Sequence, residues 1–138
     1  MKVAYYKGCL AALSAKELDT STQALAPKLG LELDELESVT CCGAGDIHEA
    51  EPDYYLHLNA RILAYGAATG AETLMTICNV CTLNLRQANF QLLNDPELRA
   101  RVNQNLATVV GQGRAQALPT VARGLGDLAL SAGGRVGR

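Results

Sequence analysis

The sequence predicts three short β-strands, and each of them leads to a cysteine. The stretches are residues 1–9, 31–40 and 71–78, and the cysteines are Cys9, the adjacent pair Cys41 and Cys42, and Cys78. Apolar and β-rich residues dominate the first and third stretches, whereas the second alternates apolar with acidic residues. The chain is therefore expected to place cysteines at the carboxyl ends of its strands, which limits both the fold and the site.

Helical patterns fill the sequence between and after these strands. The predicted helices are residues 14–29, weakened by Pro27 and closed by Gly30; an amphipathic helix from Pro52 to Gly66 or Gly70; a helix from Asn79 or Val80 to Leu93; and a helix opened by Asn94, Asp95 and Pro96 that continues to about Val110. The order β, α, β, α, β, α, α predicts an α/β fold with a small parallel sheet flanked by helices.

The length of 138 residues predicts one folded domain, which we assign to residues 1–110. The remaining residues, 111–138, hold seven of the thirteen glycines and no aromatic residue, with four arginines against one aspartate. This composition predicts a Gly/Arg-rich tail that is weakly structured or ordered by a partner.

The composition excludes several functional classes. A net charge of -2 with 49% hydrophobic residues indicates neither a nucleic-acid-binding surface nor a disordered chain. No uncharged apolar stretch approaches the roughly 18–20 residues of a membrane span, and the N-terminus has no signal peptide pattern, so we expect a cytoplasmic chain that starts at Met1. Cysteines stay reduced there, and five cannot all pair internally, which favours metal binding or redox chemistry over disulfides.

We expect all five cysteine sulfurs to lie at one site, because ligand sites in parallel sheets form beyond the carboxyl ends of the strands. The expected ligands are Cys9, Cys41, Cys42, Cys78 and Cys81. The intervals of 31 residues between Cys9 and Cys41 and 35 between Cys42 and Cys78 suit a crossover helix plus a strand. The spacing therefore supports the fold as well as the site.

The number of sulfurs narrows the chemistry. Thiolates prefer soft metals such as zinc, copper(I) and the irons of iron–sulfur clusters. A structural zinc and an ordinary cubane cluster each take four ligands, and five sulfurs exceed both. Neighbouring Cys41 and Cys42 do not easily reach one tetrahedral metal, but each can ligate a different iron of a larger cluster. Gly43, Ala44 and Gly45 leave room for such a cluster beside the backbone.

Other polar residues near the cysteines receive separate assignments. Asn79 and Asn84 are candidate hydrogen-bond donors to cluster sulfur, and Asn59 and Arg61 are candidates to hold the cluster loop. The two histidines, His48 and His57, are assigned to a solvated helix surface and left out of the site. The tyrosines are assigned to the core or to an interface, and one of them could border the cluster.

Two other chemistries remain open from the residues alone. The cysteines could hold a structural zinc in a module that assembles partners. Cys78 and Cys81 could instead serve a thiol–disulfide enzyme as nucleophile and resolving thiol, since a helix N-terminus lowers the pKa of a thiol. The second interpretation leaves three cysteines unexplained.

The full pattern resembles the cysteine-rich CCG domain of the B subunit of heterodisulfide reductase, the anchor subunit of type-E succinate dehydrogenases and glycolate oxidase iron–sulfur subunits. The resemblance covers about residues 1–105, and its matching stretches are residues 6–9, 41–45, 58–61 and 76–81. It implies that the five cysteines hold a noncubane [4Fe-4S] cluster. It also implies that electrons pass to a disulfide or a quinone within an oxidoreductase complex.

The same resemblance implies partners, namely other iron–sulfur or flavoprotein subunits, with peripheral association at the cytoplasmic face of a membrane complex. Subunits of this family usually carry two such domains, whereas this chain has one. We therefore expect a half-subunit whose other half is a separate chain, a truncated form of a longer chain, or a module that only relays electrons. The cluster should be oxygen-labile, so aerobic purification is expected to give disulfides or adventitious zinc.

Overall fold

The computed structural model describes residues 1–110, with side chains to residue 106. The predicted tail, residues 111–138, lies outside the described residues. In chain order the elements are β1 Lys2–Tyr6, α1 Gly8–Leu13, α2 Lys16–Leu25, a 3-10 helix Ala26–Leu29, β2 Glu32–Glu35, α3 Asp46–Ala50, α4 Pro52–Ala68, β3 Leu74–Thr76, α5 Asn79–Asn94 and α6 Pro96–Val110.

The three strands form one parallel sheet in the order β2-β1-β3. The central strand β1 is buried from Val3 to Tyr6, which is why its sequence is an unbroken apolar run. Its residue Ala4 is in register with Asp34 on one side and Leu74 on the other. The predicted α/β fold with a small parallel sheet and flanking helices is confirmed.

Alternation along β1 divides the packing between two faces of the sheet. Ala4 and Tyr6 belong to the main core cluster, which also contains Ile62 and Leu63 of α4 and residues of α5 and α6. Tyr5 points the other way, and its hydroxyl donates a hydrogen bond to Asp19 of α2 at 3.0 Å. Helix α2 buries none of its residues, so most of the core lies on the α4 face.

The second predicted strand is much shorter in the structure. It covers Glu32–Glu35 instead of residues 31–40, and the N–H of Leu36 makes the last bond to the carbonyl of Tyr5. The strand ends there because β1 itself ends at Tyr6, so the following residues have no partner strand. Leu36 and Val39 pack against the core instead of extending the sheet.

Two short helices were not predicted, and one helix was predicted too long. The extra helices are α1 and α3, of six and five residues, which are too short to give a periodic apolar pattern. The predicted helix 14–29 begins at Lys16 and ends at Leu25, and a 3-10 turn that contains Pro27 follows. Gly30 closes that turn with φ of 70°, as the sequence predicts.

Within residues 1–110, no helix combines the length and apolar character that crossing a membrane requires.

Candidate functional site

The structure brings all five predicted cysteines together beyond the carboxyl ends of the strands. Cys9 lies in the first turn of α1, Cys41 and Cys42 lie in the loop before α3, and Cys78 and Cys81 lie at the start of α5. Cys9 was expected at the end of a strand, but α1 begins directly after β1 and carries it. We call these five residues the cysteine patch.

Sulfur–sulfur distances link the two sides of the cysteine patch. Cys9 Sγ lies 3.3 Å from Cys41 Sγ, and Cys42 Sγ lies 3.6 Å from Cys81 Sγ. Two thiolates bound to one tetrahedral metal by bonds of about 2.3 Å would be roughly 3.7 Å apart. Within residues 1–106, no three His, Cys, Asp or Glu side chains meet around a single point as they would for one metal ion.

The cysteine patch runs from the core to the surface. Cys42 and Cys81 are only 2% and 3% exposed, Cys41 and Cys78 are half-buried, and Cys9 is exposed. All five are free thiols. One end of the patch is therefore enclosed by protein, and the other end meets solvent.

A glycine permits the close approach of β1 and α1 to the sulfurs. Gly8 has φ of 79°, which a side chain rarely tolerates, and a Cβ at this position would lie 3.2 Å from Cys81 Sγ. Cys9 follows it directly. A larger residue at position 8 would push the exposed end of the patch away from the buried end.

The glycine after the cysteine pair has a similar function. Gly43 has φ of 76°, and an added Cβ would lie 3.0 Å from Leu58 and 3.2 Å from Ile47. Its N–H donates to Cys41 Sγ at 3.4 Å. The Cys-Cys-Gly sequence thus lets the loop turn tightly under α3 and α4 while one backbone donor faces a sulfur.

Two buried asparagines hold Cys42 from two helices. Asn84 of α5 donates from Nδ2 to Cys42 Sγ at 3.3 Å. Asn59 of α4 donates from Nδ2 to the carbonyl of Cys42 at 2.8 Å and to the carbonyl of Tyr55 at 2.9 Å. Of the two candidate donors to cluster sulfur, Asn84 is therefore the one that contacts a cysteine sulfur. Asn79 is exposed, and its side-chain oxygen instead accepts a bond from the N–H of Val80 at 2.9 Å.

The loop before the cysteine pair is fixed by two further contacts. Tyr6, which is buried, donates from its hydroxyl to the carbonyl of Thr40 at 2.9 Å. Arg61 donates to the carbonyl of Ser38 at 2.8 Å, so the predicted role of Asn59 and Arg61 in holding the loop is confirmed. Burial raises the pKa of Tyr6 above its usual range, and the nearby cysteines add to this. Tyr6 thus borders the site, and its place in the matching stretch of residues 6–9 is the sequence signal that could have indicated it.

The pKa values of the two buried cysteines shift in opposite directions. The hydrogen bond between Cys42 and Cys81, together with bonds from Asn84 and the N–H of Ala44, lowers the pKa of Cys42 to about 5 even though burial opposes it. The same contact raises the pKa of Cys81 above its usual range, with burial next in importance. Burial also raises the pKa of Cys41. The directions of these two shifts favour the thiolate on Cys42 and the proton on Cys81.

The two histidines make contacts elsewhere. His48 stacks on Tyr55 with 4.1 Å between ring centroids, and His57 lies 2.7 Å from the carbonyl of Asp53 on its own helix. Both lie in α3 or α4 rather than among the sulfurs.

A surface cavity of about 370 Å³ opens beside the exposed end of the cysteine patch. Its lining includes Cys9 and Cys41, the apolar side chains of Leu13 and Val39, and Lys7. The charge of Lys7 is balanced by ion pairs with Glu35 and Asp19. A partner group that enters this cavity would lie beside Cys9 and Cys41.

The fold and site define a small parallel α/β domain with five thiols gathered beyond the carboxyl ends of its strands. Residues 3–86 match the family model of the cysteine-rich domain called CCG. This match covers more than half of the 138 residues, and the chain therefore belongs to the CCG cysteine-rich domain family.

Curated relatives agree with this assignment. A protein of Archaeoglobus profundus named as similar to the B subunit of heterodisulfide reductase is 33% identical over 110 residues, and an 8-methylmenaquinol:fumarate reductase membrane anchor subunit of Wolinella succinogenes is 36% identical over 104 residues. The B subunit of a ferredoxin/F420H2-dependent CoB-CoM heterodisulfide reductase of Methanosarcina acetivorans is 27% identical over 109 residues. The matches cover 79%, 75% and 78% of this chain, but only 36% of each relative. The chain thus spans about a third of the length of these relatives.

Proposed function

We propose that the cysteine patch holds an iron–sulfur cluster and that the chain is an electron-transfer subunit, or half-subunit, of a redox complex. The observation that carries this proposal is the contact of Cys9 with Cys41 and of Cys42 with Cys81 within one patch. The ligands would be Cys9, Cys41, Cys42, Cys78 and Cys81. Following the resemblance, the cluster would be of the noncubane [4Fe-4S] type.

The donor set fits such a group. Five soft thiolates lie at one site, and thiolates are the usual ligands of iron–sulfur irons. The adjacent cysteines face different partners, since Cys41 contacts Cys9 and Cys42 contacts Cys81. This supports the expectation that neighbouring ligands reach different irons, which neither a single zinc nor a cubane with four ligands needs.

The cysteines of the patch would bind different sides of the cluster. Cys42 and Cys81 would hold the enclosed side, where α4 and α5 exclude water, and Cys9 would hold the side open to a partner. When bound, the cluster would supply one-electron redox chemistry. The cavity beside Cys9 and Cys41 gives an electron acceptor or donor close access to the exposed ligands.

The wider assignments are also proposals. We assign residues 1–110 to the CCG domain and residues 111–138 to a Gly/Arg-rich tail that is either weakly structured or ordered by a partner. The relatives are named as subunits of heterodisulfide and fumarate reductases, so we propose iron–sulfur or flavoprotein subunits as partners and a disulfide or a quinone as the acceptor. One relative is named a membrane anchor subunit, which supports peripheral contact with a membrane complex. We propose that this contact is on the cytoplasmic side.

Metal analysis after anaerobic reconstitution tests this function. The full chain should bind about four irons with a similar amount of acid-labile sulfide, and it should show an EPR signal in one redox state. One zinc per chain without sulfide would support the structural zinc module and contradict the proposal. Aerobically purified protein is expected to carry zinc or disulfides in place of iron.

A further inference from the structure

Asn84 is a buried asparagine, and a buried amide needs a hydrogen-bond partner. Its side chain is 4% exposed within α5, and burying an amide costs free energy unless it is hydrogen-bonded. Its Nδ2 donates to the sulfur of Cys42 at 3.3 Å. Asn84 follows Cys81 by three residues, so both side chains lie on the same face of the helix. The helix thus presents a sulfur and an amide donor to Cys42 together.

The geometry distinguishes Asn84 from the other buried asparagine. Asn59 is fully buried, but it donates to the backbone carbonyls of Cys42 and Tyr55 and does not bond to sulfur. Asn59 fixes where the loop lies, whereas Asn84 acts on the charge of the Cys42 sulfur itself. A neutral amide is also a permanent donor, because it does not gain or lose a proton in the ordinary pH range.

We infer, as a consequence of the proposed cluster, that Asn84 is a positioning residue that stabilises the reduced form of the iron–sulfur centre through its hydrogen bond to Cys42. Each electron added to the centre makes the ligand sulfurs more negative. A donor to a more negative acceptor forms a stronger bond, especially in a buried site of low dielectric. Hydrogen bonds to sulfur help to set the reduction potential of a cluster. Because the bond from Asn84 stabilises the reduced form, it raises the reduction potential of the centre.

The test compares reduction potentials of reconstituted full-length variants. Asn84→Leu keeps the approximate size of the side chain and removes the donor. The expected result is iron content equal to that of the unmodified protein and a midpoint potential shifted to a more negative value, measured by EPR-monitored titration with dithionite. Asn84→Gln keeps an amide donor and should return the potential toward the original value.

Asn94→Leu is the matched control. Asn94 is on the same helix, is exposed, and donates to the carbonyl of Phe90 at 2.7 Å, far along the chain from the sulfurs. This change should leave the potential where it is. Equal shifts in the Asn84→Leu and Asn94→Leu proteins would overturn the inference, because they would reflect a general change in α5.

The remaining outcomes are also decisive. A loaded Asn84→Leu protein with an unchanged potential would overturn the role of Asn84 and leave the cluster proposal intact. If Asn84→Leu does not load, Asn84→Ala removes the same donor with a smaller side chain, and the same negative shift is expected. Failure of both variants to bind iron would make Asn84 an assembly residue and contradict the tuning role. Absence of iron from the unmodified protein would refute the proposed function and, with it, this inference.

Discussion

The two ends of the cysteine patch differ in how the protein surrounds them. At the buried end, Cys42 and Cys81 belong to the core cluster with residues of α4 and α5, and an amide donor contacts one of the two sulfurs. At the exposed end, Cys9 lies on the six-residue helix α1, next to a cavity and beside the exposed Leu10 and Leu13. If the patch holds the proposed cluster, the buried end would retain and tune it, and the exposed end would be where a partner makes contact.

The buried end also carries the larger energetic constraint. A thiolate in the core is costly unless donors surround it, and Cys42 accepts hydrogen bonds from Asn84 and the N–H of Ala44 and shares one with Cys81. Changes there should affect the whole fold. Changes at Cys9 should remain more local, because α1 is short and largely exposed.

The largest effect is expected on bound iron, when a buried cysteine and an exposed cysteine are each replaced by serine in separate variants. Cys42→Ser should remove nearly all bound iron, because a buried hydroxyl is a poor substitute for a thiolate among donors. Cys9→Ser should retain a larger fraction of iron, since an exposed position admits water or the new hydroxyl as a ligand. Iron and sulfide content per chain after anaerobic reconstitution measures both. Equal retention in the two variants would contradict the division between buried and exposed ends.

The second largest effect is expected at Gly8, which lies between the two ends of the cysteine patch, where a substitution should destabilise the fold. Gly8→Ala forces a side chain into a φ of 79° and places its Cβ 3.2 Å from Cys81 Sγ. The free energy of unfolding of the metal-free, reduced protein should fall by about 2–3 kcal/mol, as measured by urea denaturation. Gly30→Ala has the same backbone strain at φ of 70° with nothing within 4 Å, so it should cost only roughly 1 kcal/mol. A loss at Gly8 no larger than at Gly30 would show that contact with the sulfur is unimportant.

A smaller effect is expected where Tyr6 holds the loop. Tyr6→Phe removes the bond to the carbonyl of Thr40 and should lower the free energy of unfolding by about 1 kcal/mol. The exposed Tyr54 is the control, and Tyr54→Phe should change the free energy of unfolding by less than about 0.5 kcal/mol. Urea denaturation of the reduced, metal-free proteins provides the comparison. If both variants match the unmodified protein, the hydroxyl of Tyr6 does not secure the loop.

Stability and thiolate absorbance at the buried end of the reduced, metal-free protein should depend on pH. The folded pKa of Cys42, about 5, lies below the unfolded value of roughly 8.5, so its contribution to stability is full above the unfolded pKa and is lost as pH falls through about 5. The raised pKa of Cys81 acts oppositely, with its contribution lost at alkaline pH. Thiolate absorbance near 240 nm should therefore disappear on acidification through about pH 5. This transition should be missing from Cys42→Ser, and its persistence there would assign the thiolate to another cysteine.

The sequence predicted the parts of this architecture that depend on chain direction and apolar pattern. Parallel strands that end near cysteines must deliver them to one edge of the sheet, so all five members of the patch could be chosen from the sequence alone. The long helices α4, α5 and α6 were predicted because their caps and prolines mark their limits. The CCG resemblance agrees with the family match over residues 3–86.

The parts that could not be predicted depend on tertiary contacts. The length of β2 is set by where β1 ends, which no local pattern in residues 31–40 reveals. The gradient from buried Cys42 to exposed Cys9 arises because Cys42 packs in the core cluster with residues of α4 and α5, whereas Cys9 lies outside that cluster. Likewise, the choice of Asn84 over Asn79 as the sulfur donor follows from which helix face contacts the cysteine pair.

The central claim is that both members of the adjacent cysteine pair are ligands of one cluster. Anomalous diffraction at the iron edge from anaerobically grown crystals of the reconstituted full chain tests it most directly. We predict iron at the cysteine patch, with Cys41 and Cys42 bonded to different irons and Cys9, Cys78 and Cys81 completing the set. A single metal ion with four sulfur ligands, or iron that leaves Cys41 or Cys42 unbound, would contradict it.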